Sequence, residues 1–207
     1  MMTGNASSLV VLLHGHGGNG DQFDSLRGAL QPFLPHTRFV APDAPSPSAR
    51  AGGFQWFGID ALTEGNRGAR IEAARPELDR LLAEIIGRHG LSNRLDRVAL
   101  IGFSQGADMA LDALATARWP VGALVSFAGR LLTPGPLRPP SASRTLLVHG
   151  DADPVIPHGE SERAHAVLRD CGAAVELHVL PGIGHVIPPE GLALACQHLA
   201  HAFALAD

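Results

Sequence analysis

Lysine is absent from this chain of 207 residues, in which all 16 basic residues are arginine. A covalent Schiff base and a phosphate-binding P-loop both depend on a lysine side chain. The composition therefore excludes pyridoxal-dependent enzymes and the standard nucleotide triphosphatases.

Strong charge and long apolar runs are also lacking. The formal net charge is −4 and no long run of one sign occurs, which argues against nucleic acid or an anionic membrane as the main partner. The first stretch, MMTGNASSLVVLLHG, has no basic region before its apolar run at 9–13, and that run is too short for a signal or membrane helix. We expect a cytoplasmic protein without stable membrane insertion, either a monomer or a homodimer.

Cysteine is rare, with only Cys171 and Cys196 in the chain. Neither residue belongs to a Cys-x-x-Cys pair or to a zinc-binding spacing. We expect both to be small buried apolar residues, with no disulfide framework.

Short apolar runs alternate with longer stretches of helical spacing along the whole chain. Strands are predicted at 8–15, 37–42, 97–103, 121–129, 145–150 and 174–180, and helices at 21–30, 67–87, 105–117, 159–171 and 189–205. This alternation indicates a mostly parallel sheet with helices on both faces, in one domain spanning 1–207. Residues 42–68, rich in Pro, Ser and Gly, are predicted to form a long surface loop. Pro76 predicts a kink or a helix start near it.

The stretch Gly102-Phe103-Ser104-Gln105-Gly106 fits the pattern G-x-S-x-G between a predicted strand and a predicted helix. A sharp turn there would hold Ser104 in strained backbone geometry with its hydroxyl exposed. Larger residues at Gly102 or Gly106 would collide with the neighbouring strand or helix. The helix N-terminus also offers N–H groups to a developing negative charge. Ser104 is predicted to be a nucleophile, the alternative being that the glycines mark only a turn.

A serine nucleophile needs a histidine base and a carboxylate that orients it, which should follow in the order Ser, Asp or Glu, His. Asp153 follows the strand at 145–150, and His185 follows the strand at 174–180. Both are therefore predicted to lie at the same edge of the sheet as Ser104. The alternatives are Asp151 for the acid and His158, His165 and His178 for the base.

A glycine-rich stretch, HGHGGNG at 14–20, follows the first strand and allows close approach of the backbone to a ligand. The backbone N–H groups of His16 and Gln105 are predicted to bind the oxyanion of the reaction. His14 and His16 could instead indicate a metal site. No His-Glu-x-x-His element lies nearby, so no metal and no cofactor are predicted.

Three aromatic residues of the 42–68 loop are predicted to bind substrate by walling an acyl pocket. The alternative is that they pack the loop against the core. These residues are Phe54, Trp56 and Phe57.

The chain resembles the phospholipase/carboxylesterase family of α/β-hydrolases, which includes acyl-protein thioesterases and small bacterial carboxylesterases. The resemblance covers nearly the whole chain and rests on LLHGHGGNG, QWFGID, LIGFSQGADMAL, HGDADPVIP and GIGHVIP. It implies an α/β-hydrolase fold with reduced N-terminal strands. It also implies Ser104 as nucleophile, Asp153 as acid and His185 as base, with the N–H groups of His16 and Gln105 at the oxyanion positions. QWFGIDALTEGNRGAR and SFAGR look most similar to the small bacterial esterases.

Three features depart from the family pattern. The chain has little room for the strand or hairpin that often precedes the first HG strand. His16 stands where an apolar residue is common. Asp60 lies two residues beyond the usual Trp-Phe-Asp aspartate, whose place Gly58 holds. The departures affect the shape of the acyl pocket and the substrate preference.

The predicted function is that of a serine hydrolase that cleaves carboxylic esters with short to medium acyl chains through an acyl-enzyme. Its partner would be a small-molecule ester. The same residues could serve an acyl thioesterase or a lysophospholipase. An alternative of another class is a non-catalytic binder of small molecules on a hydrolase scaffold, because one fold hosts many functions.

Overall fold

The computed structural model describes residues 7–204 and residue 206, so residues 1–6 of the N-terminal stretch lie outside the described residues. Its strands are β1 (Ser8–Leu13), β2 (Thr37–Val40), β3 (Ser46–Pro47), β4 (Phe54–Gln55), β5 (Val98–Phe103), β6 (Ala123–Phe127), β7 (Arg144–Gly150) and β8 (Ala174–Leu180). Six of them form one sheet in the order β2-β1-β5-β6-β7-β8, and every neighbouring pair is parallel.

The helices follow the strands as the alternation predicted. They are α1 (Asp24–Leu30), α2 (Glu64–Arg88), α3 (Gln105–Ala115), α4 (Gly159–Asp170) and α5 (Pro189–Ala204), with short 3₁₀ turns at Gly20–Phe23 and Leu95–Arg97. The predicted fold class, a parallel sheet with helices on both faces, is confirmed.

The prediction of one long surface loop at 42–68 agrees least well with the structure. The segment is not one long loop, because β3 and β4 pair within it as a short antiparallel ladder and α2 begins at Glu64. The early start has a local cause: the side chains of Thr63 and Asn66 form a capping box around the first turn of the helix. Pro76 lies inside α2 and does not begin it.

The two faces of the sheet are covered by different helices. Along β1, Leu9 and Val11 belong to the apolar core on the side of α2, α3 and α4, whereas Val10 and Leu12 belong to the core on the side of α1 and α5. All four side chains are fully buried. Alternate residues of a strand face opposite ways, so burial on both faces explains why β1 is apolar throughout.

The cysteine prediction holds for one residue of the two. Cys196 is buried in α5, as expected, but Cys171 is exposed. The prediction was wrong for Cys171 because this residue caps the C-terminus of α4, where the chain turns towards β8 at the surface.

Across the described part of the chain, no helix has both the length and the apolar character that crossing a membrane requires.

The order of the strands determines where a site can form. The chain passes from β1 to β2 on one side and then to β5 on the other, so the strand order reverses between β1 and β5. Ligands of such sheets bind at the carboxyl ends of the strands, next to this reversal. The segments after β1, β5, β7 and β8 all leave from that edge, and they contain the predicted site residues.

Candidate active site

Ser104 lies on a sharp turn between β5 and α3, with backbone angles φ 53° and ψ −119°. A positive φ is uncommon for a residue other than glycine. A Cβ atom at Gly102 would lie 2.4 Å from Ala107 Cα, and one at Gly106 would lie 2.1 Å from the carbonyl oxygen of Leu13. The predicted collisions at both glycines are thus confirmed, with α3 and with the end of β1. The two glycines allow the tight turn that places Ser104, half-buried, at the wall of a cavity.

The two backbone N–H groups predicted to bind an oxyanion come from separate segments. Gln105 is the first residue of α3, and His16 belongs to the loop after β1. Among the hydrogen bonds of the described residues, neither N–H group has an acceptor. The loop is fixed by other bonds, from Gly17 N–H to the Phe54 carbonyl at 2.8 Å and from Gly18 N–H to the Gly15 carbonyl at 3.1 Å. The two N–H groups are therefore available to a ligand.

His185 and Asp153 are hydrogen-bonded to each other, with 2.6 Å between His185 Nδ1 and Asp153 Oδ2. The other oxygen, Asp153 Oδ1, accepts the N–H groups of Val155 at 2.8 Å and Ile156 at 2.9 Å. Burial alone would raise the pKa of the Asp153 carboxyl. The hydrogen bonds from Ile156 and His185 outweigh burial and lower that pKa below its ordinary value. The carboxylate is thus kept charged beside the imidazole.

Ser104 and His185 are close to each other. The Phe103 ring packs against the His185 ring, with 4.9 Å between the ring centroids. In the described residues no hydrogen bond joins the Ser104 hydroxyl to the imidazole. Catalytic hydrogen bonds of this kind are often long before substrate binds.

A second imidazole, from His149, lies against the Asp153 carboxylate. His149 Nε2 lies 3.3 Å from Asp153 Oδ2 and donates to the Ile156 carbonyl at 2.9 Å. Its Nδ1 lies 2.7 Å from Ser161 Oγ. Burial lowers the pKa of His149, which favours the neutral ring with its proton on Nε2. The sequence analysis did not predict a role for His149. The signal available in the sequence was its position, at the end of β7 and four residues before Asp153.

The competing candidates for acid and base lie elsewhere. Asp151 is exposed, and its carboxylate accepts the Gly182 N–H at 2.6 Å, which supports the loop carrying His185. The competing histidines are His178, which lies within β8, His165, which lies in α4, and His158, which caps α4.

The two histidines of the HGHGGNG stretch have separate hydrogen-bond partners. His14 is buried, its Nδ1 donates to the Gly15 carbonyl at 2.7 Å, and its Nε2 accepts the Ala44 N–H at 2.9 Å. Burial lowers the pKa of His14. His16 Nε2 lies 3.0 Å from Ser48 Oγ. The described residues contain no group of three or more side chains suited to hold a metal ion.

The aromatic residues at 54–57 differ in their surroundings. The Trp56 side chain is buried, and its indole N–H donates to the His14 carbonyl at 2.8 Å. The Gln105 side chain accepts the Trp56 N–H at 2.8 Å and donates to the Phe57 carbonyl at 2.7 Å. Phe54 is half-buried and packs against the core. Phe57 lines a cavity beside Ser104. The loop-packing alternative thus describes the place of Trp56, while contact of the three residues with substrate stays a prediction.

Two cavities adjoin the edge of the sheet where Ser104 and His185 lie. The first, of about 460 Å³, is lined by His185 and Phe103 and by apolar side chains that include Phe23, Leu26 and Ile187. Its walls offer an alcohol or acyl group an apolar surface next to the imidazole.

The second cavity, of about 350 Å³, is lined by Ser104, Gln105 and His16. Phe57 and Ile156 belong to its apolar wall, and two arginines, Arg67 and Arg130, also line it. The sequence analysis did not identify these arginines as site residues. Arg67 lies in QWFGIDALTEGNRGAR and Arg130 in SFAGR, the two stretches that look most similar to small bacterial esterases.

Comparison with known proteins gives one consistent result. The family model for phospholipase/carboxylesterase matches residues 2–203. The Escherichia coli (strain K12) esterase YpfH is 30% identical over 196 residues, which cover 95% of this chain and 83% of that protein. The acyl-protein thioesterase 1 of Saccharomyces cerevisiae is 28% identical, covering 90% of this chain and 89% of that protein.

Solved structures agree with this result. The crystal structure of esterase PE8 superposes with a TM-score of 0.87 at 38% identity, covering 97% of this chain and 94% of that chain. The carboxylesterase of Bacillus cereus superposes with a TM-score of 0.82 at 21% identity, covering 97% and 91% of the two chains, and shows the shared fold.

Proposed function

This chain belongs to the phospholipase/carboxylesterase family of α/β-hydrolases, and we propose that it hydrolyses carboxylic esters with Ser104, His185 and Asp153 as its catalytic residues. The observation that carries the proposal is the hydrogen bond between His185 and Asp153 beside a serine on a strained turn. The family has hydrolase chemistry, and this geometry supports our assignment of its steps to these residues.

In the proposed mechanism, the His185 imidazole takes the proton of the Ser104 hydroxyl as the oxygen attacks the acyl carbonyl. Asp153 holds Nδ1 of the ring and stabilises the imidazolium that forms. The imidazolium then gives its proton to the departing alcohol, which leaves Ser104 as an acyl ester. A water activated by His185 releases the acid and restores the serine.

The tetrahedral oxyanion binds the N–H groups of His16 and Gln105. The absence of other acceptors for these groups among the described residues supports this assignment. Preorganised donors of this kind typically stabilise the transition state by about 3 kcal/mol each.

The proposed substrates are small esters with short to medium acyl chains. The same residues can also cleave thioesters, because a thiolate leaves from the same tetrahedral intermediate. One relative is named an acyl-protein thioesterase, which makes a thioester the second substrate to test. We also propose that the chain forms one domain. We further propose that the protein acts in the cytoplasm.

The test is covalent labelling by a fluorophosphonate together with hydrolysis of p-nitrophenyl acetate. We expect wild-type protein to be labelled and active, and Ser104→Ala to lose labelling and about 10⁴-fold or more of its kcat. Ser92→Ala, which changes an exposed serine, is the matched control and should retain both. Labelling that persists in Ser104→Ala would refute the nucleophile. Wild-type protein that is neither labelled nor active would favour a non-catalytic binder.

A further inference from the structure

The two cavities at the catalytic edge differ in which reacting groups line them. His185 lines the apolar cavity, whereas Ser104 and the proposed oxyanion residues His16 and Gln105 line the second one. The departing alcohol must receive its proton from His185, so it belongs on the side of the apolar cavity. The acyl group, whose carbonyl contacts the serine and the oxyanion donors, then extends into the second cavity.

The second cavity combines an apolar wall with two positive charges. Its apolar residues, Phe57, Ile59, Leu62, Val155 and Ile156, could contact the methylene groups of an acyl chain. The charges come from Arg67 and Arg130, whose side chains are only 16% and 17% exposed. An uncharged acyl group would give these guanidinium groups no partner beyond those that the protein supplies.

Carboxylates of the protein compensate the two charges only in part. Arg67 Nη2 donates to Glu64 at 3.1 Å, but the Glu64 side chain is 83% exposed, so water screens this pair. Arg130 Nη2 lies 3.3 Å from a carboxylate oxygen of Asp108, whose side chain is fully buried. Water screens Glu64, and the side-chain contact of Arg130 with Asp108 is long, so both guanidinium groups keep N–H groups that can bind a further anion.

Each of the two arginines also keeps a buried donor without a partner. The Nε atoms of Arg67 and Arg130 are buried, and neither has a hydrogen-bond acceptor among the described residues. Arg118 and Arg144 have one such nitrogen each as well, but neither of them lines this cavity. Both Nε atoms have almost no accessible surface, so a ligand in the cavity would contact the accessible parts of the two guanidinium side chains and not Nε.

We propose that the acyl group of the substrate carries a carboxylate at its far end, so that the enzyme prefers half-esters of short dicarboxylic acids. The carboxylate would bind the guanidinium groups of Arg67 and Arg130, whose planar N–H pairs match its two oxygens. The acyl chain would lie along the apolar wall, and its ester carbonyl would reach Ser104. This inference rests on the proposed esterase function and adds the class of substrate.

The experiment compares two methyl esters of nearly equal shape on the wild-type protein, with acid release followed in a pH-stat. One is monomethyl glutarate, and the other is methyl 5-methylhexanoate, whose isopropyl end replaces the carboxylate without its charge. We expect kcat/KM to be about tenfold or more higher for the half-ester, as a charge-assisted bidentate contact implies. The preference should shrink as NaCl is raised, because salt screens the attraction. The succinate and adipate half-esters measure which acyl length fits best.

The variants test whether the arginines cause the preference. Arg67→Gln should lower the ratio of the two kcat/KM values by about tenfold. Arg80→Gln, which changes an exposed arginine of the same helix, is the matched control and should leave the ratio unchanged. The double variant Arg130→Gln with Asp108→Asn removes the second guanidinium without leaving a buried carboxylate unpaired, and should also lower the ratio.

Two failures can be told apart. Equal kcat/KM for the two methyl esters, or an Arg67→Gln ratio equal to that of wild type, would overturn the acyl carboxylate while the esterase function stands. No hydrolysis of p-nitrophenyl acetate and no fluorophosphonate labelling would overturn the proposed function, and this inference with it.

Discussion

Two carboxylates of α3, Asp108 and Asp112, lie one turn apart with fully buried side chains, yet their surroundings differ. Asp112 accepts two bonds from Arg75, at 3.0 and 2.9 Å, and one from Arg118 at 2.8 Å. In the described part of the chain, Asp108 has side-chain hydrogen bonds from Arg130 alone, whose backbone N–H donates at 2.7 Å and whose side chain lies at 3.3 Å, while Arg67 acts on it only through its charge.

The pKa values of the two carboxyls shift in opposite directions. Burial raises the pKa of Asp108 to about 6, even though Arg130 works against the shift. Burial alone would also raise the pKa of Asp112, but the hydrogen bonds from Arg75 and Arg118 lower it. The helical turn next to Ser104 thus contains a carboxylate, Asp108, whose burial is only partly compensated. In the next turn, hydrogen bonds from arginines compensate the burial of Asp112. Functional sites often keep such a cost where the rest of the fold avoids it.

Removing the well-compensated carboxylate should have the largest effect. Asp112→Ala takes from Arg75 and Arg118, both largely buried, the fully buried carboxylate that they share and leaves them only the more exposed partners Glu72 and Asp79. We expect the free energy of unfolding to fall by about 3–5 kcal/mol, measured by urea denaturation. Glu72→Ala removes an exposed partner of the same Arg75 and should change the free energy by less than about 1 kcal/mol. Similar losses for the two variants would show that the buried partner Asp112 contributes no more to stability than the exposed partner Glu72.

The second prediction uses the pH dependence of stability. Because the pKa of Asp108 is raised from 3.8 to about 6, its contribution to stability is present below pH 3.8 and is lost as pH rises through about 6. Relative to wild type, Asp108→Asn should therefore gain about 2 kcal/mol between pH 4 and pH 7. Asp112 has a lowered pKa, so its contribution is present above pH 3.8 and is lost at lower pH. Urea midpoints across this range should show opposite trends for Asp108→Asn and Asp112→Asn, and parallel trends would be evidence against the assignment.

The comparison extends to Asp153, a third buried carboxylate, which has two imidazoles in place of arginines. We predict that His149 positions this carboxylate and that His149→Phe lowers kcat/KM by about tenfold. His149 Nε2 donates to the Ile156 carbonyl but lies 3.3 Å from Asp153 Oδ2, so the positive end of its N–H dipole is beside the carboxylate. Without that dipole, the carboxylate should attract the imidazolium proton of His185 more strongly. The acidic limb of the pH–rate profile should then move to higher pH, a change that a purely structural role would not produce. His149→Gln keeps an N–H donor and should restore part of the activity, whereas an unmoved pH limb would rule out positioning.

The sequence predicted most of what depends on neighbours along the chain. The order of strands and helices followed from alternating apolar runs, and the turn at Ser104 followed from Gly102 and Gly106. The edge where Asp153 and His185 lie followed from the geometry of parallel strands. These features are local, or they repeat from one strand to the next.

What the sequence did not predict depends on contacts between distant residues. Arg75 meets Asp112 across 37 positions, and Arg130 meets Asp108 across 22. No periodic pattern marks such pairs, so Arg67 and Arg130 could not be assigned to the cavity beforehand. For Trp56 the sequence left two roles open, the wall of an acyl pocket and packing of the loop, because its bond with the His14 carbonyl joins residues 42 positions apart.

The smallest predicted effect concerns the backbone at Ser104, where strain lowers the stability of the folded protein. A φ of 53° suits glycine better than a residue with a Cβ atom. Ser104→Gly and Ser104→Ala both remove the hydroxyl, but only glycine relieves the strain. We expect the glycine variant to be more stable by about 1 kcal/mol, which corresponds to roughly 2–4 °C in Tm for a domain of this size.

Position 92 provides the control for this comparison, because Ser92 is exposed and is not among the described residues with positive φ. There the order should reverse, with Ser92→Ala more stable than Ser92→Gly, since glycine has more conformational entropy to lose on folding. Equal stabilities of the glycine and alanine variants at position 104 would mean that the turn carries no strain. The stability that the site loses would then come from the partly compensated carboxylate of Asp108 alone.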